Sequence, residues 1–190
     1  MYKQELRNLY KSKREALSPT DKMAFEQSIC HNLLTGIDFS NTNTIHCFLP
    51  AASKNEINTW LIIEALRSQY PHIQFVVPVS DLTNGTMISV LLEKDTLIKE
   101  NKWGIPEPVN ATIVDHAKIN LVLIPLLVVD IHGNRVGYGK GFYDKFLLSC
   151  NPNTIKIGLS YFPPVDLIED ISDTDIPLDL TISPFQIHKH

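Results

Sequence analysis

The feature that most restricts the fold is an uninterrupted aliphatic run near the middle of the chain. It follows Asn120, continues to Ile124, and is followed directly by Pro125. Runs of this kind are typical of a central parallel strand that is covered on both faces. A glycine-rich stretch over 133–141 comes next, and a predicted helix over 141–149 follows it. This order of strand, loop and helix favours an α/β fold.

Further helices and strands alternate along the chain. A predicted helix over 2–17 is followed by Ser18 and Pro19, which are favoured as the cap and first residue of a second helix over 19–35. The remaining predicted elements are strands over 44–49, 73–77, 87–92, 120–124, 154–159 and 180–183, and a helix over 57–69. We therefore predict a three-layer αβα architecture of Rossmann-like type with a mainly parallel open sheet. A chain of 190 residues is expected to form a single domain, 1–190.

The first predicted helix carries a basic face. Four cations, Lys3, Arg7, Lys11 and Arg14, recur at the spacing that places side chains on one side of a helix. We expect Lys11 and Arg14 to be the solvated part of this face. The positions expected to face the core are Leu6, Leu9 and Leu17.

Composition excludes several classes of function. The formal net charge is −4, which argues against nucleic acid as a partner because there is no basic surplus to replace phosphate counterions. Three cysteines without CxxC spacing argue against a disulfide framework or a zinc site. The longest apolar run, 121–129, is too short to span a membrane as a helix, and the N-terminus lacks a secretory pattern. We expect a monomeric, cytoplasmic protein with no membrane partner.

The glycine-rich stretch indicates phosphate binding. Glycine allows close approach of the backbone to a ligand, and the amide groups before a helix suit an anion. Arg135 and Lys140 flank the loop, and Asp144 lies one turn into the predicted helix, where it is placed to hold magnesium beside a phosphate. Neither a Walker A loop nor a dinucleotide fingerprint fits the spacing of Gly137, Gly139 and Gly141.

The segment from Arg135 to Asp144, RVGYGKGFYD, resembles the signature of the 5-formyltetrahydrofolate cyclo-ligase family. Weaker similarities occur in the order found in that family. They lie at 3–7, 48–50, 55–57, 103–108 and 175–179, so that the resemblance covers nearly the whole chain.

This resemblance implies an ATP-dependent cyclisation of 5-formyltetrahydrofolate to 5,10-methenyltetrahydrofolate, with ADP and phosphate as the other products. Lys140 and Arg135 would stabilise the transferring phosphoryl group. The folate would contact Glu56, Trp103 and Tyr138. Without the resemblance, Glu56 is equally well explained as a carboxylate at the N-terminus of the predicted helix over 57–69, where the helix dipole favours a negative charge. The residues expected to bind ATP are Lys3, Arg7, Arg135, Gly137, Tyr138, Gly139, Lys140, Gly141, Phe142 and Tyr143.

Magnesium is the ion that the resemblance implies. Asp144 and Asp175 would hold it, with Asp170, Asp173 and Asp179 as competitors in the same acidic segment. Two alternatives share the phosphate loop: a nucleotide-binding regulatory module and a kinase that acts on a small acid. Neither alternative requires Glu56, Trp103 and the basic first helix together.

Overall fold

The computed structural model describes residues 1–81 and 83–190. These residues divide into two compact units. The first contains Met1–Asp38, Ile124–Lys140 and Lys156–His190, and the second contains Phe39–Leu123 and Gly141–Ile155.

The described residues form four helices and twelve strands. The helices are α1 (Lys3–Glu15), α2 (Pro19–Gly36), α3 (Trp60–Gln69) and α4 (Phe142–Leu148). The strands are β1 (Thr44–Cys47), β2 (Gln74–Asp81), β3 (Thr86–Leu91), β4 (Ile98–Glu100), β5 (Pro106–Pro108), β6 (Ile113–Val114), β7 (Leu121–Pro125), β8 (Val128–Val129), β9 (Arg135–Val136), β10 (Ile155–Leu159), β11 (Leu180–Ile182) and β12 (Ile187–Lys189).

Strand β1 is at the centre of the second unit. It pairs in parallel with β7 on one side and with β2 on the other, so that Ile45 lies opposite both Leu121 and Phe75. All four residues of β1 and the first four of β7 are buried, as expected for parallel strands covered on both faces. Strand β3 then pairs antiparallel with β2 and β6.

The first unit contains a second parallel pair and a hairpin. Strand β10 runs parallel to β11, and β12 lies antiparallel to β11. Strands β8 and β9 form the hairpin that leads to the glycine-rich loop, with Val128 opposite Val136. Helix α1 packs on this hairpin, and the buried side chains at the contact are Leu6, Tyr10, Leu127, Val128, Val136 and Ile168.

The α/β class with a mostly parallel sheet is confirmed, with antiparallel strands added beside the parallel ones. The segment 102–110, for which no helix or strand is predicted from the sequence, contributes β5 to a two-stranded sheet with β4. Proline lacks an amide hydrogen but is tolerated in such short edge pairs. Helix α3 begins at Trp60 rather than 57, so that Glu56 lies four positions ahead of the helix and is not adjacent to its first turn.

The buried face of α1 differs from the prediction. It consists of Leu6, Tyr10 and Arg14, whereas Leu9 is 39% exposed. The expectation that Arg14 is solvated is therefore wrong. Arg14 is only 3% exposed, while Lys11 is exposed as expected.

A buried histidine packs against aromatic side chains of α4 in the second unit. His46 on β1 has no exposed surface, and its ring centre lies 4.5 Å from that of Phe146 and 6.0 Å from that of Tyr143. Neither ring nitrogen has a hydrogen-bond partner among the described residues. Burial, assisted by the charge of His116, lowers the pKa of His46 to about 3.

We predict that His46 makes stability depend on pH. Because its pKa is depressed in the folded state, His46 stays neutral there while it protonates in the unfolded chain below about pH 6.5. Stability is fully present above that pH and is lost as the pH falls towards 3. Between pH 7.5 and 5.5 the loss from this residue is about 1.4 kcal/mol.

Urea unfolding at the two pH values measures this loss. The His46→Leu variant serves as the comparison, because leucine fills the buried position with an apolar side chain that does not titrate. Its stability is expected to change less between the two pH values than that of the wild type. Equal changes in the two proteins would contradict the assignment.

Candidate active site

A buried aspartate shapes the hairpin ahead of the glycine-rich loop. Asp130 has no exposed surface, and its carboxylate accepts hydrogen bonds from the backbone amides of His132 at 3.0 Å and Asn134 at 2.9 Å. It also accepts from the Asn134 side chain at 3.0 Å and from the amide of Ile168 at 3.2 Å. The carboxylate thereby closes the turn between β8 and β9 and fixes the start of the loop that follows.

Arg7 lies against the glycine-rich loop in the first unit. Its Nε donates a hydrogen bond of 3.0 Å to the carbonyl oxygen of Gly137, and its Nη1 donates to Gln4 at 2.6 Å. Gly139 has a φ of +87°, and a Cβ at this position would lie 3.2 Å from the Arg7 guanidinium carbon. No carboxylate forms an ion pair with Arg7 among residues 1–81 and 83–190. The loop therefore carries an uncompensated positive charge, which suits an anionic ligand.

The rest of the predicted loop belongs to the second unit. Gly141, with a φ of +66°, precedes α4, which has only seven residues. Asp144 is half-buried in its first turn, and Phe142 is half-buried beside it. The ring of Tyr143 packs with His46 and Phe146. Since so short a helix has a small dipole, an anion at this loop would be held mainly by cations and loop amides.

Lys3 and Asp175, predicted to bind ATP and magnesium respectively, form an ion pair with each other. The Lys3 ammonium donates to Oδ2 of Asp175, which also accepts from the amide of Ser172 at 2.7 Å. Burial raises the pKa of the Asp175 carboxyl, but these hydrogen bonds and the charges of Lys3 and Arg135 outweigh it. They hold that pKa below its usual value, so that the carboxylate stays ionised at neutral pH.

The other aspartates of the acidic segment have different surroundings. Asp170 accepts a hydrogen bond of 2.6 Å from the backbone amide of Lys3, and Asp179 pairs with Lys156 at 2.8 Å. Asp173 is exposed. Arg135 on β9 donates to the carbonyl oxygen of Ile176, which ties the glycine-rich region to this segment. Lys140 is exposed at the end of the loop.

Two of the predicted folate-binding residues, Glu56 and Trp103, lie in the second unit, whereas Tyr138 lies in the first. Oε2 of Glu56 accepts a hydrogen bond of 2.8 Å from the amide of Ala51, which fixes the carboxylate in the loop ahead of α3. Trp103 is 47% exposed, and the Lys102 ammonium lies 4.2 Å from its ring centre. A Cβ on Gly104 would lie 3.7 Å from the Ser53 hydroxyl, so that the Trp103 loop borders the turn before Glu56.

The contact that the sequence analysis missed involves Arg14 and Tyr138. Arg14 donates a hydrogen bond of 3.0 Å to the Tyr138 hydroxyl, and the Tyr138 ring packs against the cluster beneath α1. Tyr138 therefore points its hydroxyl towards the interior of the first unit. The helical position of Arg14, two turns from Leu6, was the signal that could have revealed its burial.

A family model for the 5-formyltetrahydrofolate cyclo-ligase family matches residues 1–182. The chain belongs to the 5-formyltetrahydrofolate cyclo-ligase family. This confirms the resemblance found in the sequence.

Individual members of the cyclo-ligase family match over most of their length. The 5-formyltetrahydrofolate cyclo-ligase of Haemophilus influenzae is 28% identical, over 84% of this chain and 85% of its own. That of Mycoplasma pneumoniae is 28% identical, over 96% and 99%. The solved 5,10-methenyltetrahydrofolate synthetase of Aquifex aeolicus has a TM-score of 0.83 at 22% identity, covering 100% of this chain and 93% of its own. The solved synthetase from M. pneumoniae has a TM-score of 0.76 at 27% identity, covering 97% and 99%.

Outside position 82, no three His, Cys, Asp or Glu side chains are grouped so that they could hold a metal ion by themselves. No helix described here is both long enough and apolar enough to cross a membrane.

Two glycines of the loop allow a matched test of its geometry. Gly139→Ala is expected to destabilise the fold by about 1–2 kcal/mol, because its positive φ strains a residue with a Cβ. The new methyl group would also push the Arg7 guanidinium aside. Gly137→Ala meets no atom within 4 Å and has no such backbone constraint, so its effect should be small. Urea unfolding of both variants measures the difference, and equal stabilities would contradict the described loop.

Proposed function

We propose that the chain catalyses the ATP-dependent cyclisation of 5-formyltetrahydrofolate to 5,10-methenyltetrahydrofolate. The observation that carries the proposal is the Arg7 guanidinium, which has no carboxylate partner in the described chain and lies on the loop at Gly137 and Gly139. An unpaired cation beside loop amides is an arrangement that binds polyphosphate. Membership of the family supplies the reaction.

The chemistry accounts for the cations around the loop. The formamide oxygen of the substrate is a poor leaving group, so it first takes the γ-phosphoryl group of ATP and ADP is released. The neighbouring amine nitrogen then attacks the formyl carbon and loses its proton to solvent, and phosphate leaves with the C–O bond electrons. Lys140 and Arg135 would stabilise the charge on the transferring group, and Lys3 and Arg7 would hold the triphosphate.

Lys3 has to change partner for this role. Its ammonium is neutralised by Asp175 in the ligand-free chain. We propose that, when ATP binds, its phosphates pair with the Lys3 ammonium and magnesium binds the Asp175 carboxylate. Lys3 and Asp175 would then each keep a partner of opposite charge when ATP and magnesium bind.

The carboxylates present fit magnesium. Mg²⁺ is commonly held by one or two carboxylates together with substrate phosphates, so a group of three protein ligands is not required. Asp175 is kept ionised, and both of its contacts reach Oδ2 rather than Oδ1. Asp175 and Asp144 would hold the magnesium ion. When bound, the ion would neutralise part of the negative charge on the phosphates.

The second unit would bind the folate. Glu56 would accept two hydrogen bonds from the amino-pyrimidine edge of the pterin, since each carboxylate oxygen accepts more than one bond. The amide of Ala51 holds Glu56 in place for this contact. The exposed ring of Trp103 would stack on a flat part of the substrate, and Tyr138 would act through the loop that it anchors.

The extent of the family match, residues 1–182, supports one catalytic domain over 1–190. The monomeric state and the cytoplasmic location stay predictions.

Near-ultraviolet absorbance tests the reaction directly, because the methenyl product absorbs there and the formyl substrate does not. We expect absorbance to rise only when ATP is present, with ADP and phosphate formed in equal amounts. Chelation of divalent ions should stop the reaction, and added magnesium should restore it. ADP formation without an absorbance change would favour the kinase, and ATP binding without turnover would favour the regulatory module.

Two substitutions test how the substrates are divided among the residues. Glu56→Gln replaces an acceptor oxygen by an NH₂ group that faces a donor. It is expected to raise the KM for 5-formyltetrahydrofolate about ten- to a hundredfold and to leave the KM for ATP nearly unchanged. Lys140→Ala should instead lower kcat and raise the KM for ATP.

Steady-state titrations of both substrates measure these changes. Glu64→Gln, on the exposed side of α3, is a matched control that should behave like the wild type. If Glu56→Gln changed the KM for ATP and spared that for folate, Glu56 would have been assigned to the wrong substrate.

A further inference from the structure

Arg14 is a buried cation to which the proposed reaction assigns no role. It is 3% exposed, and no carboxylate forms an ion pair with it within the described residues. Its Nε has no hydrogen-bond partner there either. Burial of an unpaired charge is costly, and apolar side chains that replace buried charges are often no less stabilising. Packing of α1 alone therefore does not account for an arginine at this position.

The guanidinium of Arg14 joins the two ends of the hairpin that carries the loop. One nitrogen, Nη2, donates to the carbonyl oxygen of Leu126, just before β8. The other, Nη1, donates to the Tyr138 hydroxyl at 3.0 Å, just after β9. The cation also lies 5.7 Å from the ring centre of Tyr161, where an aromatic face favours it.

Tyr138 is the residue of the glycine-rich loop whose side chain is held in the interior of the first unit. It stands between Gly137 and Gly139, whose backbones have the greatest conformational freedom in the unbound chain. Its ring packs against the cluster of Leu6 and Tyr10, and Arg14 holds its hydroxyl. With the side chain fixed on the interior side, the backbone on both sides of it is restricted to few conformations.

We propose that Arg14 is a positioning residue that sets the glycine-rich loop for ATP by holding the hydroxyl of Tyr138. The inference rests on the proposed function, in which this loop binds ATP. Two arginines of α1 therefore have different roles. Arg7 donates to the Gly137 carbonyl and can also contact the ligand. Arg14 acts from the interior through Tyr138. Arg14 itself does not touch the substrate.

A double-mutant cycle tests this coupling. Arg14→Met removes the donor, Tyr138→Phe removes the acceptor, and the double variant removes both. Each single change is expected to weaken ATP binding about tenfold, and the double variant should be no weaker than the more affected single one, because all three lose the same interaction. In Arg14→Met, the KM for 5-formyltetrahydrofolate should move less than twofold. Lys11→Met, on the exposed side of α1, is the matched control and should bind ATP like the wild type.

Calorimetric titration with ATP measures binding, and thermal unfolding separates it from stability. A lowered Tm with unchanged ATP affinity in Arg14→Met would make the residue merely structural and overturn the proposal. Losses that multiply to about a hundredfold in the double variant would overturn it as well. Because binding is measured without turnover, a wild-type protein that binds ATP but forms no methenyl product would refute the proposed function and leave the cycle valid. A wild-type protein that binds no ATP would overturn both.

If Arg14→Met does not fold, amide hydrogen exchange of Tyr138→Phe tests the proposal instead. Tyr138→Phe removes one oxygen atom and retains the ring, so it is expected to remain folded. In the ligand-free Tyr138→Phe protein, exchange across residues 137–140 should accelerate relative to the wild type. Unchanged exchange would mean that the hydroxyl does not hold the loop, and the proposal would be wrong.

Discussion

The docking of α1 on the β8–β9 hairpin is the interaction on which the site in the first unit depends. Leu6 and Tyr10 bury their side chains against Val128 and Val136, and this apolar contact fixes the position of the helix. Because side chains on neighbouring turns of a helix follow one another along one face, the same docking directs Arg7 and Arg14 to the loop. The hydrophobic contact thus determines where the charges lie.

The described cations are not equivalent in their surroundings. Lys3 is neutralised by Asp175, whereas Arg7 and Arg14 have no carboxylate partners in the described chain. Arg7 borders the loop and Arg14 lies beneath it. The positive charge of Arg7 is therefore not neutralised by a carboxylate of the described, ligand-free chain. The charge of Lys3 would become available to an anion only if Lys3 separated from Asp175.

The sequence predicted the fold class and the family, because the aliphatic run at 120–124 and the motif at 135–144 are local patterns. It did not predict the burial of Arg14. At about 100° per residue, Arg14 lies only about 20° around the helix from Lys3, while Lys11 lies about 80° away. All four cations share a broad face, and only packing on the hairpin decides which of them is covered. The pairing of β4 with β5 was missed for a related reason, since strand pairing depends on contacts that propensity does not encode.

The contacts around the loop join residues that are far apart along the chain. Arg7 and Gly137 are separated by 130 positions, and Lys3 and Asp175 by 172. Loops of this length close late in folding, after local helices have formed. A partly synthesised chain that lacks the segment around Asp175 therefore cannot form the Lys3–Asp175 pair or the complete set of contacts around the loop. On refolding, recovery of nucleotide binding should lag behind recovery of helical circular dichroism, so binding would serve as a reporter that the last long-range contacts have formed.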